Sequence, residues 1–179
     1  MKKQIVFYSS IIVFIIASAS FAMAMDYQHE IKAEDMTFAW TLDASNIHIK
    51  LSAKTTGWVG IGFTPDGSML GANIIIGAVK KGKVRIQDHF GNRNRGHIPD
   101  KKQGGTNDIS NAEGSEENGI TTISFTMPLD SGDKFDLPAI KADGTDKIIL
   151  AYGAGRDSFK SRHLFRSEYQ VNFATGGIK

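Results

Sequence analysis

Apolar and polar side chains alternate at every second position along most of this chain. In "MTFAWTL", Met36, Phe38, Trp40 and Leu42 fall on one side, with Thr37, Ala39 and Thr41 on the other. "NIHIKLS" repeats the pattern, opposing Ile47, Ile49 and Leu51 to Asn46, His48, Lys50 and Ser52. Successive side chains of a strand point to opposite faces, so each run predicts a strand with one buried face. The "DAS" between them predicts a turn. "WVGIGF" sets Val59, Ile61 and Phe63 against Trp58, Gly60 and Gly62, and "NIIIGAV" and "KVRIQDHF" follow, joined by a hairpin turn at "KKGK". From Gly91 to Gly119 almost nothing is apolar, which predicts a long polar loop. Alternation returns in "ITTISFTMPL" and "SEYQVNF", and "KIILAYGAG" between them predicts a buried strand. Eight or nine short strands without helical periodicity predict an all-β chain folded as an antiparallel β-sandwich.

The first residues break this pattern. Lys2 and Lys3 precede an apolar run from Ile11 to Ala17, then small residues ending in Ala22-Met23-Ala24. That order predicts a signal peptide over residues 1–24 and a single mature domain over 25–179, secreted or periplasmic. The apolar run is too short to span a bilayer, and no later stretch is long and apolar enough to do so. Export also changes the charge. The whole chain has 21 basic and 19 acidic residues, net +2, and a sequence pI near 8.8. Losing Lys2 and Lys3 leaves 19 of each, which gives no support to nucleic acid or an anionic membrane as partner. The absence of cysteine excludes disulfides, thiolate-held zinc, iron–sulfur clusters and covalently attached haem c.

Enzyme motifs are sparse. There is no G-x-S-x-G, no H-E-x-x-H and no cysteine nucleophile. Glu116 and Glu117 read as a solvated acidic turn. His29 is expected to fray, His48 to face water or a polar neighbour, and His97 to lie in the polar loop. His89, at a strand end, carries either a structural or a functional reading. His163 sits in a connection into the last strand, beside Arg162 and Arg166. Glycines 60 and 62 bare one face of their strand, a feature of sites where a ligand or another backbone approaches closely. Met69 enters the same neighbourhood from the following loop. Its flexible thioether serves either as core filler or as a soft metal ligand.

Three segments carry a resemblance: "GWVGIGFTPDGSMLGANIIIGAV", "VRIQDHFG" and "ILAYGAGRDSFKSRHLFR". Together they resemble the DOMON domain family, and more closely its haem-binding branch. The branch includes the cytochrome domain of cellobiose dehydrogenase and the haem subunit of ethylbenzene dehydrogenase-type enzymes. The resemblance covers roughly Thr37 to Phe173. It implies an immunoglobulin-like β-sandwich holding one non-covalent haem b between Met69 and His163, with Lys160 as the alternative to His163. Asn73 stands where the family often has Asp. The resemblance further implies an apolar haem pocket of Phe63, Ile74, Ile76 and Phe90, with Arg162 or Arg166 facing the propionates. Iron held by both Met and His has no vacant position, so the expected role is single-electron transfer as a carrier or subunit, with a redox partner protein, rather than catalysis. Other DOMON domains bind sugars, which makes a non-haem carbohydrate or small-ligand module the alternative.

Overall fold

The computed structural model describes residues 25–63, 68–136 and 140–179. The predicted signal peptide lies outside the described residues, as does the segment 64–67 that leads to Met69. Eleven strands are described. They are β1 (His29–Ala33), β2 (Met36–Leu42), β3 (Asn46–Ala53), β4 (Val59–Phe63), β5 (Asn73–Lys80), β6 (Lys83–Arg93), β7 (Gly96–Pro99), β8 (Ser110–Glu117), β9 (Ile120–Pro128), β10 (Thr145–Gly153) and β11 (His163–Asn172). A short 3-10 turn, Asp100–Lys102, follows β7.

They form two antiparallel sheets packed face to face. One has the order β1-β2-β3-β9-β8 and the other β11-β10-β4-β5-β6-β7. The all-β sandwich expected from alternation is the observed fold. The core takes the predicted faces: Phe38, Trp40, Ile49, Leu51, Ile123 and Phe125 from the first sheet meet Val59, Ile61, Ile75, Ile148 and Leu150 from the second. Trp40 is fully buried, stacks on Phe38, and donates its indole N–H to the Phe173 carbonyl at 2.9 Å. Satisfying that donor lets a large indole sit in the core without an orphaned polar group. Gly77 faces inward, where an added Cβ would stand 2.6 Å from Ile123 Cδ1, so the sheets close on it only because it has no side chain.

The turns follow their residues. Asp43 accepts hydrogen bonds from the backbone N–H of Ser45 and Asn46, as an Asx turn does. Lys81 and Gly82 both take positive φ in the β5–β6 hairpin, the requirement of a type I′ turn. His48, as expected, faces polar neighbours: Thr126 at 2.9 Å and Asp43 at 3.0 Å.

Two expectations are corrected. The Gly91–Gly119 segment is not a loop: it contains β7, the 3-10 turn and β8. Every residue of β8 is exposed, so this edge strand has no buried face to produce alternation. Its pairing with β9 is set by the hairpin at Asn118 and Gly119, both at positive φ. His29 does not fray; it belongs to β1, and its ring lies 5.2 Å from that of Trp40.

Candidate functional site

The six-stranded sheet turns Val59, Ile61, Phe63 and Ile75 to the core, so the residues between them face outward. Register places Ile149, Gly62, Ile74 and His89 in one row across β10, β4, β5 and β6, and Ala151, Gly60, Ile76 and Gln87 in the next. The outer face is therefore apolar along its middle and lowered where the two glycines stand.

Two segments border this platform. At one end the chain leaving β10 crosses the sheet as a strap, residues 154–162. Trp58 donates its indole N–H to Ser161 Oγ at 3.0 Å, and Arg85 Nη2 donates to the Asp157 carbonyl at 2.6 Å. Phe159 packs on Trp58, Ile76 and Ala78, with the Arg85 guanidinium 4.0 Å from its ring centre. At the other end lies the Met69 turn. The Ala72 N–H bonds to the Met69 carbonyl at 3.1 Å, and Gly71 and Ala72 pair with Gly91. The Met69 carbonyl fills the place a Gly91 side chain would occupy, so only glycine fits there. By the alternation of β6, that is the His89 side of the strand. Beside the turn, a shallow open depression of about 530 Å³ is lined by Leu70, Asn92, Arg93, Asn94 and Arg95.

The predicted site residues do not all gather here. Ile74 and Ile76 face the platform and are buried. Phe63 and Phe90 have the opposite parity: Phe63 lies in the core against Phe173, and Phe90 packs on Phe135. The expected four-residue pocket is thus divided between two faces of one sheet. His163 opens β11 opposite Gly153, which bonds to Trp58. Trp58 precedes the Val59–Gly77 pair and so lies level with Ala78, whereas Met69 lies at the level of Ala72. Six residues of strand and three strand spacings separate the two, roughly 24 Å at ~3.3 Å per residue and ~4.8 Å per strand. The apolar face and Met69 fit a haem, and register sets the backbones of Met69 and His163 toward opposite ends of the sheet. Lys160, next to Phe159 on the strap, is carried over β5 and β6 instead. Arg162 and Arg166 are exposed, on either side of His163.

The electrostatics keep several imidazoles neutral. Burial, then the charge of His97, holds His89 down at about 4, and burial also lowers His97. Their Nδ1 atoms are 2.7 Å apart, so one donates to the other. Partial burial, then Arg166 and Arg162, lowers His163. Each shift favours the neutral imidazole at neutral pH.

Sequence reasoning missed the His89–His97 pair, because His97 was placed in a loop. It also missed Trp58 and Phe159 as the strap's anchors and Arg93 and Arg95 beside Met69. The alternation of "KVRIQDHF" puts Arg85, Gln87 and His89 on one face and could have signalled the first of these.

Comparison with known proteins agrees with this architecture. The match to solved structures includes the cytochrome b domain of pyranose dehydrogenase from Coprinopsis cinerea, with a TM-score of 0.62 at 15% identity and 82% of each chain covered. It also includes the cytochrome domain of Myriococcum thermophilum cellobiose dehydrogenase, with a TM-score of 0.52 at 13% identity and 83% of each chain covered. At those identities the likeness is one of fold. Among curated proteins, the chain is 35% identical over 113 residues to the human DBH-like monooxygenase protein 1, covering 63% of this chain and 18% of that protein. It is 32% identical over 121 residues to the Drosophila melanogaster MOXD1 homolog 2, covering 68% of this chain and 16% of that protein. The chain thus spans less than a fifth of the length of these relatives. The family model of the DOMON domain matches residues 32–153, most of both sheets, and the chain belongs to the DOMON domain family.

Proposed function

We propose that this chain is an exported electron-transfer module that takes haem b on the outer face of its six-stranded sheet. The observation that carries the reading is the platform itself: an apolar strip, bared by Gly60 and Gly62, with a methionine turn at one end and a strap at the other. Bound there, haem would supply reversible one-electron exchange. The protein's part is to hold and shield it. Ile74, Ile76, Ile149 and Ala151 offer the apolar contact, and Gly60 and Gly62 admit a flat ring. Met69 supplies a neutral sulfur donor, which raises a haem's reduction potential.

The second donor comes from the strap or from its junction with β11. His163 is the residue the family resemblance implies, standing where the strap enters β11, and Lys160 on the strap is the alternative. Arg162 and Arg166, or Arg93 and Arg95 beside the Met69 turn, face the propionates. The redox partner is a protein docking at the open side of the platform.

The test is a visible and near-infrared spectrum of the purified chain after reconstitution with haemin. The expected result is sharp reduced α, β and Soret bands and a far-red sulfur-to-iron band that Met69→Ala abolishes. Comparing His163→Ala with Lys160→Ala identifies the second ligand. A chain that takes up no haem refutes the proposal.

The strip bared by Gly60 and Gly62 also suits one other reading, a haem-free module that recognises a sugar or other small ligand on the same face. Gly62→Leu would then abolish ligand binding while Met69→Ala left it intact.

A further inference from the structure

A second cluster lies on the inner side of the same strands. Asp88 on β6, Asp108 before β8 and Asp136 before β10 bring carboxylate oxygens within 4.8 Å of one another. Asp88 and Asp136 are 3% and 8% exposed, and each has one carboxylate oxygen without a hydrogen-bond partner. Among the described residues, no lysine or arginine forms an ion pair with any of the three. Two further side chains point to the same need. Asn73 is 3% exposed with an unpartnered Oδ1, and it faces inward diagonally from Asp88, since Asn73 pairs with Phe90 and Ile75 with Asp88. Asp100 is 1% exposed with both carboxylate oxygens unpartnered.

We infer that Asp88, Asp108 and Asp136 form a binding site for a divalent cation of the calcium class, with Asp100 and the Asn73 carbonyl beside it. Buried charges are paired, coordinate a metal, or neutralise by taking up protons. Here burial foremost, then the neighbouring acids, pushes Asp88 up to about 8 and Asp100 up to about 7. The cluster therefore takes either protons or a cation at neutral pH.

The donors select the ion. All are oxygens, with neither the thiolate nor the imidazole that zinc and copper prefer. Magnesium keeps several waters in a rigid octahedron, whereas calcium accepts a flexible, mostly protein shell. The site also joins segments distant in sequence: β5, β6, the 3-10 turn, the approach to β8 and the turn at Asp136. The Asp108 N–H already reaches Asp88 Oδ2 at 3.4 Å. A bound cation would fix the ends of β5 and β6, which support the Met69 turn through Gly91. This inference does not depend on haem.

The experiment is calorimetric titration of calcium chloride into the purified chain, stripped with a chelator, at about pH 7.5. Thermal melts run in parallel with and without calcium. The expected result is one calcium ion per chain with a dissociation constant at or below about 1 mM, the range of extracellular modules, and at least tenfold weaker magnesium binding. The melting temperature should rise by several degrees with calcium. Asp88→Asn and Asp136→Asn should each weaken binding by tenfold or more, yet melt in chelator no lower than the wild-type chain, because each removes a buried acid whose ionisation the fold disfavours. Lowering the pH to about 5.5 should weaken binding as protons compete. Absence of binding heat, with the same melting temperature in calcium and in chelator, would overturn the assignment and leave the acids protonated instead.

Discussion

β5 and β6 present opposite chemistry on their two faces. Inward, at the end where the Met69 turn begins, stand Asn73 and Asp88 in an acidic pocket. Outward, one residue along each strand, stand Ile74 and His89 on an apolar platform. The inner face is crowded: Gly77 tolerates no Cβ without displacing Ile123. The outer face is less tightly packed at Gly62, which is buried but where an added Cβ would make only ordinary contacts, 3.4 Å from Ile74 at the nearest. Strand parity alone separates the two, and a one-residue slip in register would exchange them.

The largest test of this contrast is truncation on each side. Ile75→Ala, at a fully buried inward position, should cost about 2–5 kcal/mol by urea unfolding. Ile149→Ala, half-buried on the platform, should cost less than half as much. Equal losses would mean the platform is core rather than a ligand face.

Next come the two glycines. Gly77→Ala should destabilise by about 1–3 kcal/mol through overpacking. Gly62→Ala should stay within about 0.5 kcal/mol, while Gly62→Leu reduces haem uptake at least tenfold without lowering the melting temperature comparably.

A smaller effect distinguishes the faces by pH. Asp88 is held above its unfolded value, so in cation-free buffer it stabilises the fold most below about pH 4 and progressively less as pH rises toward about 8. His89 is held below its ordinary value, so it stabilises above about pH 6.5 and loses that contribution as pH falls toward about 4. Asp88→Asn should therefore flatten the decline on the alkaline side by a few degrees of melting temperature, leaving the acid-side loss to His89→Gln. A wild-type melting temperature that did not fall between pH 6 and 8 without cation would contradict the buried charge at Asp88.

The smallest effect is at the platform's edge. Arg162→Ala and Arg166→Ala should each change stability by less than about 0.5 kcal/mol, both side chains being exposed. A severalfold loss of haem affinity in one of them would identify a propionate partner.

The sequence was most legible where one face of a strand is buried. "MTFAWTL", "NIHIKLS" and "ITTISFTMPL" became β2, β3 and β9, with the predicted residues inward. It was least legible at β7 and β8, whose polar residues leave no trace of period two. Met69 could be associated with a glycine-bared face from spacing, and Ile74 and Ile76 through the family resemblance. Phe63 and Phe90 could not be separated from them without knowing which parity each strand presents to the core. The acidic cluster was invisible because Asp88, Asp108 and Asp136 are 20 and 28 residues apart in a chain rich in ordinary surface acids.

The amino-acid order alone determined an all-β sandwich, its main strands and turns, and the exclusion of every cysteine-based cofactor. These rest on local alternation, on turn residues and on composition. Tertiary structure decided what meets what: that a strap held by Trp58 and Arg85 crosses the sheet, that Phe63 and Phe90 turn to the inner side, and that three distant aspartates converge. Such contacts depend on strand order and register between segments remote in the chain, which side-chain periodicity within one segment does not encode.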